Sequence, residues 1–237
     1  MKIFAKIRFY YAVAIIASIA GVIMVPLMLL FRDSTNKILH KYNAIIMKLI
    51  GGKIEKKGER DNSADMFIIN HQGVIDIIAM EAQELTDIRW VAKRQLFDAP
   101  WFGNLLKLPN MVNVDRENKS GLIKLIKDAK ETKESEQHRT LAIFPEGTRS
   151  DGQELRKFKA GAKMIAEKLK LRVQPVIITN SKKLLDQHKH TSHSATVYIE
   201  YLETFTANRA DKEWYKNLQN RMQKIIDREK EINGRER

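Results

Sequence analysis

A histidine and an aspartate five positions apart are the first residues that could do chemistry together. His71 and Asp76 lie in IINHQGVIDI, residues 68–77, at the end of an apolar run. Positions five apart in one continuous helix point about 140° away from each other, so the side chains meet only if His71 precedes a helix and the chain folds back. The carboxylate then holds one imidazole nitrogen and leaves the other as a base. The alternative is two polar residues at a strand end.

A second segment, AIFPEGTRSDG at 142–152, runs from an apolar strand into a turn that suits an anion. Gly147 exposes backbone amides in this turn and Arg149 follows closely, and amide N–H groups beside a guanidinium are where phosphates bind. Glu146 and Thr148 belong to the same turn. The segment by itself is also compatible with an ordinary β-turn and a solvated arginine.

Further cations follow other strand candidates. Lys93 comes directly after 88–92, and Arg116 after 111–114. Because the carboxyl ends of parallel strands meet at one edge of a sheet, these side chains predict one positive pocket near His71. Each cation taken alone is also compatible with a surface charge.

The elements that position these residues alternate between short apolar runs and longer helical patterns. This alternation predicts an α/β fold with a mostly parallel central sheet flanked by helices. The polar, basic stretch at 181–193 is predicted to be an exposed loop, and its histidines at 188, 190 and 193 to bind no metal. The strand candidates are 66–70, 88–92, 111–114, 140–144, 173–179 and 195–201, and the helix candidates are 74–84, 98–107, 119–134, 160–170 and 211–232.

Near the N-terminus, residues 9–31 carry no charge over 23 positions. As a helix this segment spans about 35 Å, enough to cross a hydrocarbon core of about 30 Å. A signal peptide is the alternative, although the apolar run continues past any small-residue cleavage site. Basic residues flank both ends and Pro26 weakens a straight helix, so a hairpin or a half-immersed element with both ends cytoplasmic is favoured, while a simple span stays open.

The stretch at 37–52 has an apolar helical face opposite lysines and ends at Gly51 and Gly52. It is predicted to be either an interfacial amphipathic helix or a helix packed on the domain core. The chain is accordingly divided into an N-terminal helical membrane anchor, residues 1–52, and an α/β domain, residues 53–237.

The composition points to an anionic partner. Lys and Arg exceed Asp and Glu by 42 to 29, a net charge of +13, which suits nucleic acid, an anionic membrane surface or a phosphorylated ligand. A nucleic-acid-binding module would interleave basic and aromatic residues on one face, whereas the notable cations cluster at strand ends. The chain contains no cysteine, which excludes disulfides, thiolate nucleophiles and zinc–thiolate sites.

Together these motifs resemble those of the glycerolphosphate acyltransferase family, in particular its 1-acylglycerol-3-phosphate acyltransferases. The likeness covers most of residues 66–180, and the motif FPEGTRS at 144–150 is matched in full. Gly73 departs from the family, which often has serine there. The other motif positions are Asn70, His71 and Asp76, then Lys93, Phe102, Gly103 and Arg116, and finally Pro175.

The resemblance implies transfer of a fatty acyl group from acyl-CoA or acyl-carrier protein to the sn-2 hydroxyl of 1-acylglycerol-3-phosphate (lysophosphatidic acid). His71 would be the general base and Asp76 would orient it. No acyl-enzyme is expected, which agrees with the absence of cysteine and of a G-x-S-x-G motif.

The resemblance also implies a phosphate site made by Lys93, Arg149 and Arg116, and shaped by Glu146, Gly147 and Thr148. No metal, cofactor or nucleic acid is expected, and the enzyme would lie on the cytoplasmic face of the inner membrane, against anionic lipid. The alternatives are an acyltransferase acting on another lysophospholipid, and a membrane-tethered anion-binding protein without catalysis.

Overall fold

One sheet runs through the part of the chain that the structure describes, a computed structural model of residues 2–83, 87–115, 119–135, 139–150 and 154–235. Its strands are β1 (Gly52–Lys57), β2 (Met66–Ile69), β3 (Ile88–Lys93), β4 (Val112–Val114), β5 (Thr140–Ile143), β6 (Arg172–Thr179), β7 (Ala195–Tyr201) and β8 (Phe205–Thr206). They lie in the order β1-β7-β6-β2-β5-β3-β4, and β8 also pairs with β6. The six predicted strands are confirmed, each end within one residue.

The middle of the sheet is parallel and its margin is not. β6, β2, β5, β3 and β4 all run in one direction, whereas β7 and β8 run antiparallel to β6. The predicted α/β fold with a mostly parallel sheet is therefore confirmed. β1, which pairs with β7, was not predicted because its sequence GKIEKK is largely exposed and rich in lysine, as edge strands often are.

Helices cover both faces of the sheet, as a parallel sheet requires. Phe67 and Ile69 of β2 face one core and Met66 and Ile68 face the other, because successive side chains of a strand alternate. The helices are α1 (Lys2–Ser18), α2 (Val25–Leu30), α3 (Thr35–Leu49), α4 (Val74–Gln83), α5 (Arg94–Phe97), α6 (Asn104–Lys107), α7 (Lys119–Glu134), α8 (Ala160–Lys168), α9 (Ser181–Leu184) and α10 (Trp214–Arg235). α1, α3 and α4 cover the first face, and α7, α8 and α10 cover the second.

The predicted helix over 98–107 is wrong in its first half. Residues 98–103 form turns between α5 and α6, and Trp101 has a φ of 60°. Pro100 explains the break, since proline disfavours helical geometry at the residue before it. Gly103 is required there, because a Cβ would lie 2.2 Å from the carbonyl oxygen of Phe97.

The N-terminal apolar segment is one helical rod from α1 to α2. A π-helical turn, Ile19–Met24, joins the two helices directly before Pro26. From Ile3 to Leu30 the rod is long and apolar enough to cross a membrane, by length and composition. One of its faces packs on the domain through Phe9 and Ala12, so this segment shares a core with the sheet.

Helix α3 packs on the domain core, which was one of its two predicted placements. Leu39, Ile46 and Met47 are buried in the core shared with α4. Ile45 and Leu49 point outward and are exposed. The predicted apolar face is therefore split between the core and the surface.

The prediction of an exposed loop at 181–193 is correct for residues 188–190, which form an exposed turn, and wrong for residues 181–186. Ser181 and Leu184 of α9 are buried, as is Asp186, whose backbone forms an antiparallel bridge with Thr191. The sequence misled because the lysines and histidines of this segment are its outward-facing residues, while the residues between them turn inward. Ser192 then donates its N–H to the carbonyl of Ala5, at 3.0 Å, which ties the segment to α1.

Candidate active site

The centre of the site is the turn between β2 and α4. His71 lies two residues after the strand, and α4 brings Asp76 back so that Asp76 Oδ2 is 2.9 Å from His71 Nδ1. The fold-back predicted from the spacing of five is confirmed. The backbone N–H groups of Gln72 and Gly73 donate to the same oxygen, at 2.6 and 2.8 Å.

These donors fix the state of the pair. Asp76 is fully buried, and an ionised carboxylate is the acceptor that three converging N–H groups require. His71 Nδ1 therefore carries the proton and donates it, which leaves Nε2 as the basic nitrogen. The histidine lines a cavity, so this nitrogen is available to a bound molecule.

Gly73 is not required by this turn. Its φ is outside the left-handed region, and a Cβ at this position would meet no atom within 4 Å. The tightness of the turn therefore does not depend on a glycine at this position. The turn is closed instead by the hydrogen bonds to Asp76.

The segment after β5 supports His71 from the other side. Glu146, which is 1% exposed, accepts the backbone N–H groups of His71 and Arg156, each at 2.8 Å. Ser150 donates its own N–H to the carbonyl of His71, also at 2.8 Å. Burial raises the pKa of the Glu146 carboxyl above its ordinary value, against the lowering effect of these N–H groups.

Aromatic rings set the plane of the imidazole. Phe144, the first residue after β5, stacks on His71 with ring centroids 3.9 Å apart and planes 15° apart. Trp90 stacks behind Phe144 at 5.3 Å, and its indole N–H donates to Glu81 at 2.6 Å. Sequence reasoning missed Phe144 as a site residue, although it follows a strand end just as His71 does.

Two polar side chains tie the segment from β2 to α4 to the end of β6. Asn70 donates to the carbonyl of Ile178 at 2.8 Å and accepts the N–H of Ile178 at 2.7 Å. Ser181, two residues beyond β6, donates its hydroxyl to Asp76 Oδ1 at 2.6 Å. Ser181 was also missed, because the prediction placed it in a solvated loop, yet its position after a parallel strand was a usable signal.

The predicted cations are distributed around the pair. Lys93 ends β3, and Arg149 donates to Gln187 Oε1 at 2.6 Å. Gly147 has a φ of 72°, a conformation that favours glycine, and Thr148 follows it. Arg116 lies outside the described residues.

Two cavities share part of their lining at this edge of the sheet, and His71 lines the second of them. The first, of about 710 Å³, is called the lysine cavity here because Lys93 and Lys159 line it, with Glu146 and apolar residues of α7 and α8. The second, the apolar cavity of about 620 Å³, extends from His71 and Arg149 to the N-terminal rod and α3. Both are lined by Val91, Lys93, Phe144, Gly147 and Thr148. Lys159 was not predicted as a site residue.

Within the described ranges, no group of three or more histidine, aspartate or glutamate side chains converges in a way that could hold a metal ion. The residues described above offer a polarised imidazole, backbone amides in a glycine turn and cationic side chains. A histidine base held by a buried carboxylate, at the carboxyl edge of a parallel sheet and beside two cavities, is the arrangement of an enzyme active site in an α/β fold.

Comparisons with known proteins give this site its family. The acyltransferase family model matches residues 53–179, and the chain belongs to this family. It is 41% identical to a 1-acyl-sn-glycerol-3-phosphate acyltransferase of Helicobacter pylori over 177 residues, and this stretch covers 74% of each of the two proteins. An Escherichia coli protein of the same description is 26% identical over 200 residues, 79% of each chain. The chain is therefore an acyltransferase enzyme.

The fold has a counterpart among solved structures. The crystal structure of the 1-acyl-sn-glycerophosphate (LPA) acyltransferase of Thermotoga maritima matches 97% of this chain and 98% of that chain, with a TM-score of 0.76 and 20% identity. The likeness includes the N-terminal helices, since it extends over nearly the whole chain. It establishes the architecture of the present protein.

Proposed function

We propose that this enzyme transfers a fatty acyl group from an acyl thioester to the sn-2 hydroxyl of 1-acylglycerol-3-phosphate, giving phosphatidic acid. The observation that carries the proposal is the His71–Asp76 pair, at 2.9 Å, beside two cavities that share a cationic side chain, Lys93. The names of the relatives support this acceptor, because the H. pylori and E. coli proteins are described as acyltransferases of 1-acyl-sn-glycerol-3-phosphate.

The reaction is a direct transfer. The oxygen of the sn-2 hydroxyl attacks the thioester carbonyl while His71 Nε2 takes the proton of that hydroxyl. Asp76 stabilises the imidazolium that forms. Collapse of the tetrahedral intermediate breaks the C–S bond, and the imidazolium returns the proton to the departing thiolate. A cysteine-free chain offers no thiolate nucleophile, which supports a pathway without an acyl-enzyme. No metal or cofactor takes part in these steps.

The acceptor phosphate binds where the cations meet the glycine turn. Arg149 is held by Gln187 at 2.6 Å, and a phosphate would replace this neutral acceptor with a charged one, a stronger hydrogen bond. Lys93 lines both cavities, so its ammonium could contact a phosphate bound in either of them. Gly147 and Thr148 contribute the backbone of the turn. Arg116 remains part of the proposed phosphate site on the strength of the resemblance alone.

An acyl chain would occupy the apolar cavity. Ile16, Ala20 and Met24 of the N-terminal rod line it, together with Val74 and Ile77 of α4. The opposite side of the rod is exposed and apolar, with Val22 73% and Leu30 74% exposed. A chain that enters from lipid would therefore stay in apolar surroundings as far as His71.

The N-terminal rod is also the proposed membrane anchor, and the cytoplasmic face of the inner membrane is the proposed location. Acceptor and product are both lipids, so an enzyme at the membrane surface meets its substrate without extracting it into water. The acyl donor, acyl-CoA or acyl-carrier protein, is water-soluble and would approach from the cytoplasm. The net charge of +13 suits an anionic leaflet.

The test is acyl transfer from oleoyl-CoA or acyl-carrier protein to 1-acylglycerol-3-phosphate in detergent micelles. We expect the wild type to form phosphatidic acid and His71→Ala to lose about 10²- to 10⁴-fold in kcat, the range typical of a missing general base. Arg149→Lys, which keeps the charge but not the planar fork, should raise KM for the acceptor.

His193→Ala is the matched control, because His193 is an exposed histidine that lies in the 181–193 segment. It should transfer at the wild-type rate. Equal rates for wild type and His71→Ala would refute the base assignment. Wild-type transfer to other lysophospholipids but not to 1-acylglycerol-3-phosphate would refute the proposed acceptor and favour an acyltransferase of another lysophospholipid.

A further inference from the structure

The carboxylate of Asp76 is held by more than the turn that contains it. Three N–H groups converge on its Oδ2, and all of them come from residues 71–73. Its other oxygen, Oδ1, accepts the Ser181 hydroxyl at 2.6 Å. This last bond comes from a different strand end, 105 positions along the chain.

We propose that Ser181 is a positioning residue of this active site, whose hydroxyl orients Asp76 and sets how strongly Asp76 polarises His71. The inference rests on the proposed role of His71 as the base. Ser181 does not touch the reacting atoms and acts through the carboxylate.

The hydroxyl can act only in one direction. Ser181 has a single proton to donate, and Gln72 Oε1 lies 3.0 Å from the same hydroxyl oxygen. The proton goes to Asp76 because the carboxylate is charged and closer, and hydrogen bonds to ionised acceptors are the stronger ones. Ser181 is 1% exposed and Asp76 is fully buried, so water does not compete for either group.

The backbone holds Ser181 in place for this contact. Asn180, directly before it, has a φ of 65° and donates its side-chain amide to the carbonyl of Thr196 at 2.7 Å. Asn70 joins the ends of β2 and β6 through its two bonds to Ile178, at 2.8 and 2.7 Å. The strand that leads to His71, β2, and the strand that leads to Ser181, β6, are thus fixed to each other.

Removal of the Ser181 hydroxyl should change the interaction between Asp76 and His71 in a predictable direction. Oδ1 would lose its donor in a site closed to water, and the remaining negative charge would act more strongly on the imidazole. The attraction between Asp76 and the imidazolium of His71 would therefore become stronger. The less constrained carboxylate would also hold the imidazole plane less firmly, which lowers kcat more than substrate affinity.

The experiment compares Ser181→Thr with Ser181→Val in the full-length protein in micelles. These two side chains have nearly the same shape and differ in the hydroxyl, so both sustain the same steric change. We expect kcat of Ser181→Val to be roughly tenfold below that of Ser181→Thr with little change in KM, and the acid limb of its pH profile to move to higher pH. Ser181→Ala should resemble Ser181→Val.

The matched control is Ser192→Ala. Ser192 is another buried serine of the 181–193 segment, and its hydroxyl has no hydrogen-bond partner among the described residues. This variant should keep the wild-type kcat and pH profile. Equal kcat values and pH profiles for the Thr and Val variants would overturn the proposal, as would a loss in Ser192→Ala as large as that in Ser181→Val.

A second readout does not depend on turnover. Nitrogen NMR of labelled histidine follows the imidazole of His71, identified by its absence in His71→Gln. At a fixed pH, the chemical shifts of the two imidazole nitrogens of His71 should differ between the Val and the Thr variants, and equal shifts would overturn the positioning role. If that difference is present while the wild type transfers no acyl group to 1-acylglycerol-3-phosphate, the role of Ser181 stands and the proposed acceptor falls.

Discussion

At the scale of single residues, the site is a set of backbone amides arranged around two carboxylates. Asp76 receives N–H groups from its own turn, and Glu146 receives those of His71 and Arg156. Asp76 thereby acts on the imidazole ring, while Glu146 holds the backbone on which that ring is carried. The two acidic residues look alike in the sequence but differ in what they bind.

Burial of Glu146 gives a prediction for stability. Its carboxyl has a raised pKa in the folded chain, so the protonated form favours folding below the unfolded pKa of about 4.3 and this contribution is lost as pH rises through the folded pKa. The free energy of unfolding of the wild type, minus that of Glu146→Gln, should therefore decrease as pH rises from about 4 towards neutrality. Urea unfolding in micelles at several pH values measures this difference.

The exposed Glu203 provides the control, since Glu203→Gln removes a solvated carboxylate of the same kind. The difference in free energy of unfolding between the wild type and Glu203→Gln should vary much less with pH. A difference for Glu146→Gln that grows with pH would show that the amide donors outweigh desolvation, contrary to the direction argued here.

At the scale of elements, the N-terminal rod is fixed to the domain at both ends. Arg8 near its start donates to the carbonyl of Ile50 at 3.1 Å, and Met24 and Met28 near its end are 2% and 0% exposed. Trp101 donates its indole N–H to the carbonyl of Gly21, at 2.7 Å, between these two attachments. A rod attached along its length to a charged domain lies beside that domain, so a half-immersed placement is favoured over a simple span.

This placement can be tested because the chain contains no cysteine. Single cysteines at the exposed positions Lys6 and Lys37 lie on either side of the uncharged segment 9–31. In inside-out membrane vesicles both should react with a membrane-impermeant maleimide, and in intact spheroplasts neither should. A cysteine at Ile123, exposed on α7, reports the side on which the domain lies. Labelling of Lys6→Cys and Lys37→Cys from opposite sides would establish a span and refute the half-immersed placement.

At the scale of the whole molecule, charge and apolar surface act together on membrane binding. The exposed apolar residues of the rod provide attachment, and the net charge of +13 adds attraction to anionic lipid that salt screens over about 8–10 Å at moderate ionic strength. Detergent-free protein should therefore bind vesicles containing phosphatidylglycerol more tightly than phosphatidylcholine vesicles, and the difference should shrink as salt increases. Vesicle co-sedimentation over a range of salt concentrations measures it.

A matched pair of variants locates the relevant charges. Lys37 and Lys41 are exposed on α3, on the same face of the sheet as the rod, while Lys127 and Lys130 are exposed on α7, on the opposite face. Glutamate at the first pair should weaken binding to anionic vesicles more than glutamate at the second pair. Equal effects would mean that only the total charge matters.

The sequence determined the class of fold and the centre of the site because both depend on local patterns. Apolar periodicity located the six strands from β2 to β7, and the spacing of His71 and Asp76 already required a turn before a helix. Strand ends of a parallel sheet meet at one edge, so the order of the motifs predicted which residues would be neighbours.

The contacts between residues far apart in the chain could be identified only once the packing of the strands and helices was known. The stacking of Phe144 on His71, the donation of Ser181 to Asp76 and the tie between Ser192 and Ala5 follow from strand order and helix placement. No local pattern encodes these, because each joins segments whose distance is set by the packing of the sheet. Part of the 181–193 segment was mispredicted for the same reason: its polar residues look solvated, yet the fold turns Ser181 towards the carboxylate of Asp76.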